Sequence, residues 1–150
     1  EIHGGGFGPV MEQDDIASVM TFTFDQAAEP DAKMGPAGEV FGDAMDRAVE
    51  GINDLLNTPN WHTALVVAHE GITRLLLGWC TGNGLKAIQA FEQDPACINI
   101  IDVDLVPKET GDGTEIVRKI IKAVNVTPYN YVKHGMNMTS LEAIFARDPA

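Results

Sequence analysis

The chain has 150 residues, of which 45% are hydrophobic and 21% are charged, and its formal net charge is −12. This length and balance fit one globular domain with a core of useful size. The acidic surface repels nucleic acid and anionic membranes, which argues against both as partners, but a small anionic substrate could still bind in a locally positive pocket.

The sequence contains no stretch that resembles a membrane span or a signal peptide. No segment approaches the roughly 18 apolar residues that a span requires, and the first residues, 1–6, have neither a basic region nor a hydrophobic core. We therefore expect a soluble cytoplasmic protein with no membrane partner. Because the sequence starts at Glu rather than Met, a signal lost before Glu1 stays an open alternative.

The two cysteines give no sign of a metal or redox site. Neither Cys80 nor Cys97 belongs to a Cys-x-x-Cys motif or to a metal-binding cysteine–histidine spacing. Both lie in apolar stretches, which favours buried free thiols, although a disulfide stays open. The sequence has no His-Glu-x-x-His motif, no paired-carboxylate metal motif and no Walker loop, so we expect no metal and no organic cofactor.

The first third of the chain predicts loops and two helices. Glycine and proline mark loops at 1–10 and 27–38. Between them, 11–26 has apolar residues at helical spacing, and 40–56 repeats apolar residues every three or four positions, which is the stronger helix pattern. Asparagine and proline end that second helix, at Asn57, Pro59 and Asn60.

The middle of the chain predicts a strand and two more helices. The short apolar run 63–68 is rich in β-branched residues, which is typical of a fully buried strand. An apolar helix is predicted over 72–79, before the breaker 82–84, and a short one over 85–91. Four phenylalanines are expected in the core: Phe22, Phe24, Phe41 and Phe91.

The C-terminal part predicts one strand and one ambiguous segment. The strand covers 97–106, and for 115–126 both a helix and a strand fit the apolar pattern. Alternating helices and strands predict an α/β fold, a layered α/β/α sandwich with a mostly parallel central sheet. In such sheets ligands bind at the carboxyl ends of the strands.

His69 follows the strand predicted over 63–68 and precedes a helix. The N–H groups at a helix start favour an anion, and histidine changes charge near neutral pH, so phosphate contact or proton transfer would suit this residue. From its position alone, a capping or hydrogen-bonded structural histidine is the more ordinary interpretation. Both interpretations stay open at this point.

Three segments, which are 64–77, 35–39 with the helix after it, and 1–4, together resemble the histidine phosphatase (phosphoglycerate mutase-like) superfamily. Residues 64–77, an apolar strand, Ala68-His69-Glu70-Gly71 and an apolar helix, resemble its second histidine motif. Residues 35–39 and the helix after them resemble its Pro-Gly-Glu-Ser segment, and Glu1-Ile2-His3-Gly4 resembles its Glu-Ile-x-x-Gly segment. Each motif is short, but their order and spacing cover most of the chain and make the combination specific.

The resemblance implies phosphoryl transfer through a phosphorylated histidine. It assigns catalytic roles to His69, which would stabilise charge on the transferring oxygens, and to Glu1, which would protonate the leaving alkoxide and then activate water. It assigns substrate binding to Gly71, Glu70 and His3. Glu1 and His3 keep an alternative as surface residues, and Glu70 is a second, lower-ranked candidate for the acid.

The family's Arg-His-Gly segment, which carries the phosphorylated histidine, does not occur in this sequence, nor does its Ser-x-x-x-Arg segment. Lys133-His134-Gly135 is the nearest substitute, but lysine lacks the planar fork of arginine. We therefore expect 1–150 to be the C-terminal part of one such domain, with 127–150 as a tail. Alone it should be inactive, and it should form a homo-oligomer or associate with the missing N-terminal segment.

Several functional alternatives follow. The loop after Gly4 lacks the longer segment of the mutase branch, so phosphomonoester hydrolysis is favoured over phosphoglycerate mutase activity, with a small phosphorylated substrate. A non-catalytic phosphate-binding or regulatory module of the same fold stays open, as does an unrelated α/β protein. Arg74 is interpreted as a helix-surface charge or salt-bridge partner, and His62 as a strand-entry residue.

Overall fold

The structure, a computed structural model, describes residues 22–35 and 37–129. These residues form helix α1 (Phe41–Leu56), helix α2 (Glu70–Thr81), a 3-10 helix (Gly84–Ala90), strand β1 (Ile98–Pro107) and strand β2 (Thr114–Val126). The helix predicted over 11–26 lies mostly outside the described residues. Its described end, 22–26, is instead part of a series of turns, in which the Asp25 amide donates to the Phe22 carbonyl at 3.2 Å.

Helix α1 confirms the stronger helix pattern, and its apolar stripe buries Phe41 and Ala44. The side chain of Asn57, at the end of the helix, also binds α1 to the first residue of β2. Its Oδ1 accepts hydrogen bonds from the backbone amide and the hydroxyl of Thr114, at 3.3 and 3.2 Å. The residues that end the helix therefore also fix where the hairpin lies.

Helix α2 packs against both α1 and the 3-10 helix. It ends at Gly82, whose φ of 77° is in the left-handed region that favours glycine. A Cβ added at Gly78 would lie 2.6 Å from the Gly84 carbonyl oxygen and 2.7 Å from Ile88 Cγ2. The close contact between α2 and the 3-10 helix therefore requires glycine at position 78.

One hydrophobic core joins these helices to the turns before them. Its buried residues are Phe24, Ala27, Phe41, Ala44, Leu75 and Ile88. Two of the four phenylalanines predicted for the core are there, with ring centroids 5.9 Å apart. The prediction is wrong for Phe22, which is 57% exposed because the turn that it begins places Phe24 inward instead. Phe91 is half-buried.

β1 and β2 form an antiparallel hairpin, which is the only sheet within residues 22–35 and 37–129. β1 confirms the predicted strand, and β2 shows that the ambiguous segment is a strand. Lys119 of β2 contacts α2, since its Nζ donates to the Trp79 carbonyl at 2.8 Å and lies 4.0 Å from the Trp79 ring centroid. Helices and a sheet agree with an α/β class; the layered sandwich and the parallel sheet stay predictions.

The prediction of a fully buried strand over 63–68 is wrong in this structure. Leu65 and Val67 are each 89% exposed, and Val66 is 51% exposed. Within the described part of the chain, this stretch forms no backbone hydrogen bond. A strand needs a neighbouring strand for its N–H and C=O groups, and neither β1 nor β2 pairs with this stretch.

Both cysteines are free, which confirms the prediction of free thiols over the disulfide. Cys80 is buried and Cys97 is half-buried, and in each case burial is the main reason that the pKa of the thiol is raised. Among the described helices, none is long and apolar enough to cross a membrane.

Candidate functional site

His69 is the N-terminal flanking residue of α2. Its backbone is extended, with φ of −75° and ψ of 158°, and its side chain is exposed and makes no capping hydrogen bond to the helix. Its carbonyl oxygen accepts hydrogen bonds from the Thr73 amide at 3.0 Å and from the Thr73 hydroxyl at 3.2 Å. The imidazole therefore does not cap α2, which sets aside a capping histidine and leaves a hydrogen-bonded structural histidine as the ordinary alternative.

The first turn of α2 places backbone donors directly after His69. The amides of Gly71 and Ile72 donate to no acceptor within the described residues, as expected for the first positions of a helix. The helix dipole adds partial positive charge at this end. An anion placed beside the exposed imidazole would find both features within one turn of chain.

Glu70, the first residue of α2, forms an ion pair with Arg74 one turn later. Glu70 Oε1 accepts hydrogen bonds from Arg74 Nε at 2.8 Å and from Nη2 at 2.6 Å, and the two side chains are only 11% and 6% exposed. Burial raises the pKa of the Glu70 carboxyl, while the hydrogen bonds and charge of Arg74 lower it; burial is the larger effect.

Arg74 is more than a partner of one carboxylate. Its Nη1 also donates to the Ile88 carbonyl at 3.3 Å, and its guanidinium carbon lies 4.3 Å from the centroid of the Phe24 ring. Of the two alternatives for Arg74, the salt-bridge partner is thus confirmed, and the helix-surface charge is set aside because the core closes around the side chain. The spacing of four residues between Glu70 and Arg74 was the sequence signal for this pair.

The loop before β1 lies close to the start of α2. The charge of Glu92 helps to raise the pKa of Glu70, and the charges of Asp94 and Glu70 help to raise the pKa of the Cys97 thiol. The loop is fixed by buried Gln93, whose Oε1 accepts from Asn99 Nδ2 at 2.6 Å. Nothing in the sequence pattern predicted this neighbourhood, because it depends on how the hairpin packs.

Of the five site residues predicted from the sequence, the structure places three. His69, Glu70 and Gly71 lie together at the start of α2, whereas Glu1 and His3 lie outside the described residues, as does the alternative Lys133-His134-Gly135. Within the described ranges, no group of three or more histidine, cysteine or carboxylate side chains could hold a metal ion.

Comparison with known proteins agrees with the sequence motifs. The family model of the histidine phosphatase superfamily (branch 1) matches residues 1–108, which include the start of α2 and extend to the end of β1. No curated protein and no solved structure is similar enough to count as a match. The family is associated with phosphoryl transfer, as the motifs implied. The match covers well over half of the sequence, and the chain therefore belongs to the histidine phosphatase superfamily (branch 1).

Proposed function

We propose that this chain is part of a phosphomonoesterase that acts through a phosphohistidine. The observation that carries the proposal is the start of α2, where the exposed His69 precedes the amides of Gly71 and Ile72 inside the segment that matches the family. Such a turn can bind the oxygens of a phosphoryl group through N–H donors and an imidazole. The substrate is a small phosphorylated molecule.

The nucleophilic histidine would come from a segment that these 150 residues do not contain, since Arg-His-Gly is absent from the sequence. Its nitrogen would form a bond to phosphorus as the bond from phosphorus to the leaving oxygen breaks, and Glu1 would give that oxygen a proton. Water, deprotonated by the same carboxylate, would then attack the phosphohistidine and release phosphate. His69 would stabilise the charge on the non-bridging oxygens in both steps.

The second candidate is a phosphate-binding or regulatory module that performs no chemistry, which would apply if the natural full-length protein also lacks Arg-His-Gly. Such a module would keep the start of α2 as an anion site and would need no proton donor. A mutase of the phosphoglycerate type would share the phosphohistidine but pass the phosphoryl group to a hydroxyl. These candidates differ in turnover and in the acceptor, so a single assay series separates them.

The test uses the natural full-length protein, with its intact mass measured first. Hydrolysis of p-nitrophenyl phosphate is then compared for the wild type, His69→Ala and the matched control His62→Ala. His62 is exposed and precedes the stretch 63–68 in the chain, whereas α2 follows that stretch. We expect His69→Ala to lower kcat by on the order of 100-fold to 1000-fold, as for the loss of one oxyanion donor, and the control to stay near wild type.

The outcomes divide cleanly. Turnover that is lost in His69→Ala and kept in His62→Ala supports the phosphatase. Phosphate binding that depends on His69, without turnover of any phosphomonoester, would replace the enzyme with the binding module. Equal turnover in the wild type and in His69→Ala would remove His69 from the chemistry and contradict the proposal.

A further inference from the structure

The negative charge of Glu70 would disfavour an anion at the proposed site. Glu70 directly follows His69, so a carboxylate stands one residue from the group that would contact a phosphate. Like charges in a partly buried environment repel strongly, and a phosphate dianion would be disfavoured by a nearby unpaired carboxylate. Glu92 lies close enough to add to the negative charge around Glu70.

Arg74 is placed to remove this repulsion. Two of its nitrogens hold one oxygen of Glu70, at 2.8 and 2.6 Å, and its third nitrogen and its planar face are held by the Ile88 carbonyl and the Phe24 ring. A guanidinium fixed from three directions loses little additional freedom when it binds the carboxylate. The pair is therefore rigid as well as neutral.

We propose that Arg74 is a positioning residue for the phosphate site, which neutralises Glu70 and thereby permits a dianion to bind beside His69. This inference rests on the proposed function. It also gives Glu70 a role other than that of a direct ligand, because a carboxylate attracts no phosphate. The pair would set the charge at the start of α2, while His69 and the first amides of the helix make the contacts.

The experiment measures binding of inorganic phosphate to the full-length protein by calorimetry, for Arg74→Met, Glu70→Gln and the double variant. Arg74→Met removes the positive charge that faces the Glu70 carboxylate, and we expect phosphate affinity to fall by on the order of tenfold. The double variant carries neither charge, so its affinity should return close to that of the wild type. Glu70→Gln leaves a positive charge at the site and should bind phosphate at least as tightly as the wild type.

A merely structural role for Arg74 would not produce this pattern. The hydrogen bond to Ile88 and the contact with Phe24 are lost equally in Arg74→Met and in the double variant, so a structural role would weaken phosphate binding equally in both. Equal weakening of phosphate binding in Arg74→Met and in the double variant would therefore overturn the proposal. Weaker phosphate binding by Glu70→Gln would also overturn it, and this second test can be made even if Arg74→Met fails to fold.

Two controls separate this inference from the proposed function. Arg118→Met removes an exposed arginine that pairs with Asp104 at 2.6 Å on the hairpin, and it should leave phosphate affinity unchanged. In His69→Ala, phosphate binding should be lost. Phosphate binding that does not depend on His69 would contradict the proposed function and this inference with it, whereas dependence on His69 without the expected charge pattern would contradict this inference alone.

Discussion

Helix α2 and the stretch 63–68 are neighbours in the chain, are similarly apolar in sequence, and have opposite environments. Leu75 and Leu77 of α2 are fully buried, whereas Leu65 and Val67 of the stretch are 89% exposed. The difference lies in what each needs from its surroundings. A helix bonds its own backbone and needs a partner only for one face, but a strand needs another strand for every backbone group.

The comparison teaches that an apolar run predicts burial only where the rest of the chain provides a surface to cover it. α1, the turns at 22–32 and the 3-10 helix cover α2, and they come from both sides of it in the sequence. The stretch 63–68 has no such partner among the described residues. Three substitutions, of which the first two have matched controls, would break or sharpen this contrast.

The largest expected effect comes from truncating equivalent leucines in the two regions. Leu75→Ala removes a fully buried side chain and should lower the free energy of unfolding by about 3 kcal/mol, because it leaves a cavity in the core. Leu65→Ala should change it by less than about 0.5 kcal/mol. Urea denaturation followed by circular dichroism measures both. A large loss for Leu65→Ala would show that the stretch is covered in solution.

A smaller effect is expected from adding one methyl group to α2. Gly78→Ala places a Cβ against the Gly84 carbonyl and Ile88, and should lower stability by about 1–3 kcal/mol through overpacking. Gly51→Ala in α1 is the matched control, since a Cβ there meets nothing within 4 Å. That control should raise stability by about 0.5–1 kcal/mol, because alanine is the better helix former. Equal effects at both positions would contradict the close packing of α2.

The smallest effect concerns the buried charge at the start of α2. Burial raises the pKa of Glu70 above its ordinary value of 4.5, so this group favours the folded state most below pH 4.5, and that contribution is lost as pH rises through the folded-state pKa. Glu70→Gln has no such dependence. The stability of Glu70→Gln relative to the wild type should therefore improve from pH 4 to pH 7, as measured by urea denaturation at each pH. If Glu70→Gln instead lost stability relative to the wild type from pH 4 to pH 7, Arg74 would lower the pKa of Glu70 by more than burial raises it.

Much of the helical part of the fold could be predicted from the sequence. The periodic stripe of α1, the glycine that ends α2 and the position of His69 directly before a helix are local features, and the structure has all three. Local features failed for 22–26, where turns replace the predicted helix, and they left open whether Arg74 is a helix-surface charge or a salt-bridge partner. In each case residues distant in the chain decided the local structure or the burial. The turns at 22–26 pack on α1, and Phe24 and Ile88 enclose Arg74.

The sequence by itself determined where α1 and α2 lie, that β1 is a strand, and that His69, Glu70 and Gly71 lie at the start of a helix in a histidine phosphatase superfamily chain. Only the tertiary structure decided that 115–126 contributes a strand, since a pattern that fits both states becomes a strand when β1 supplies hydrogen-bonding partners. It also decided that Glu70 and Arg74 form a buried pair and that 63–68 stays exposed. The physical reason is common to all three: hydrogen bonds within a helix are local, whereas strand pairing and burial depend on residues far away in the chain.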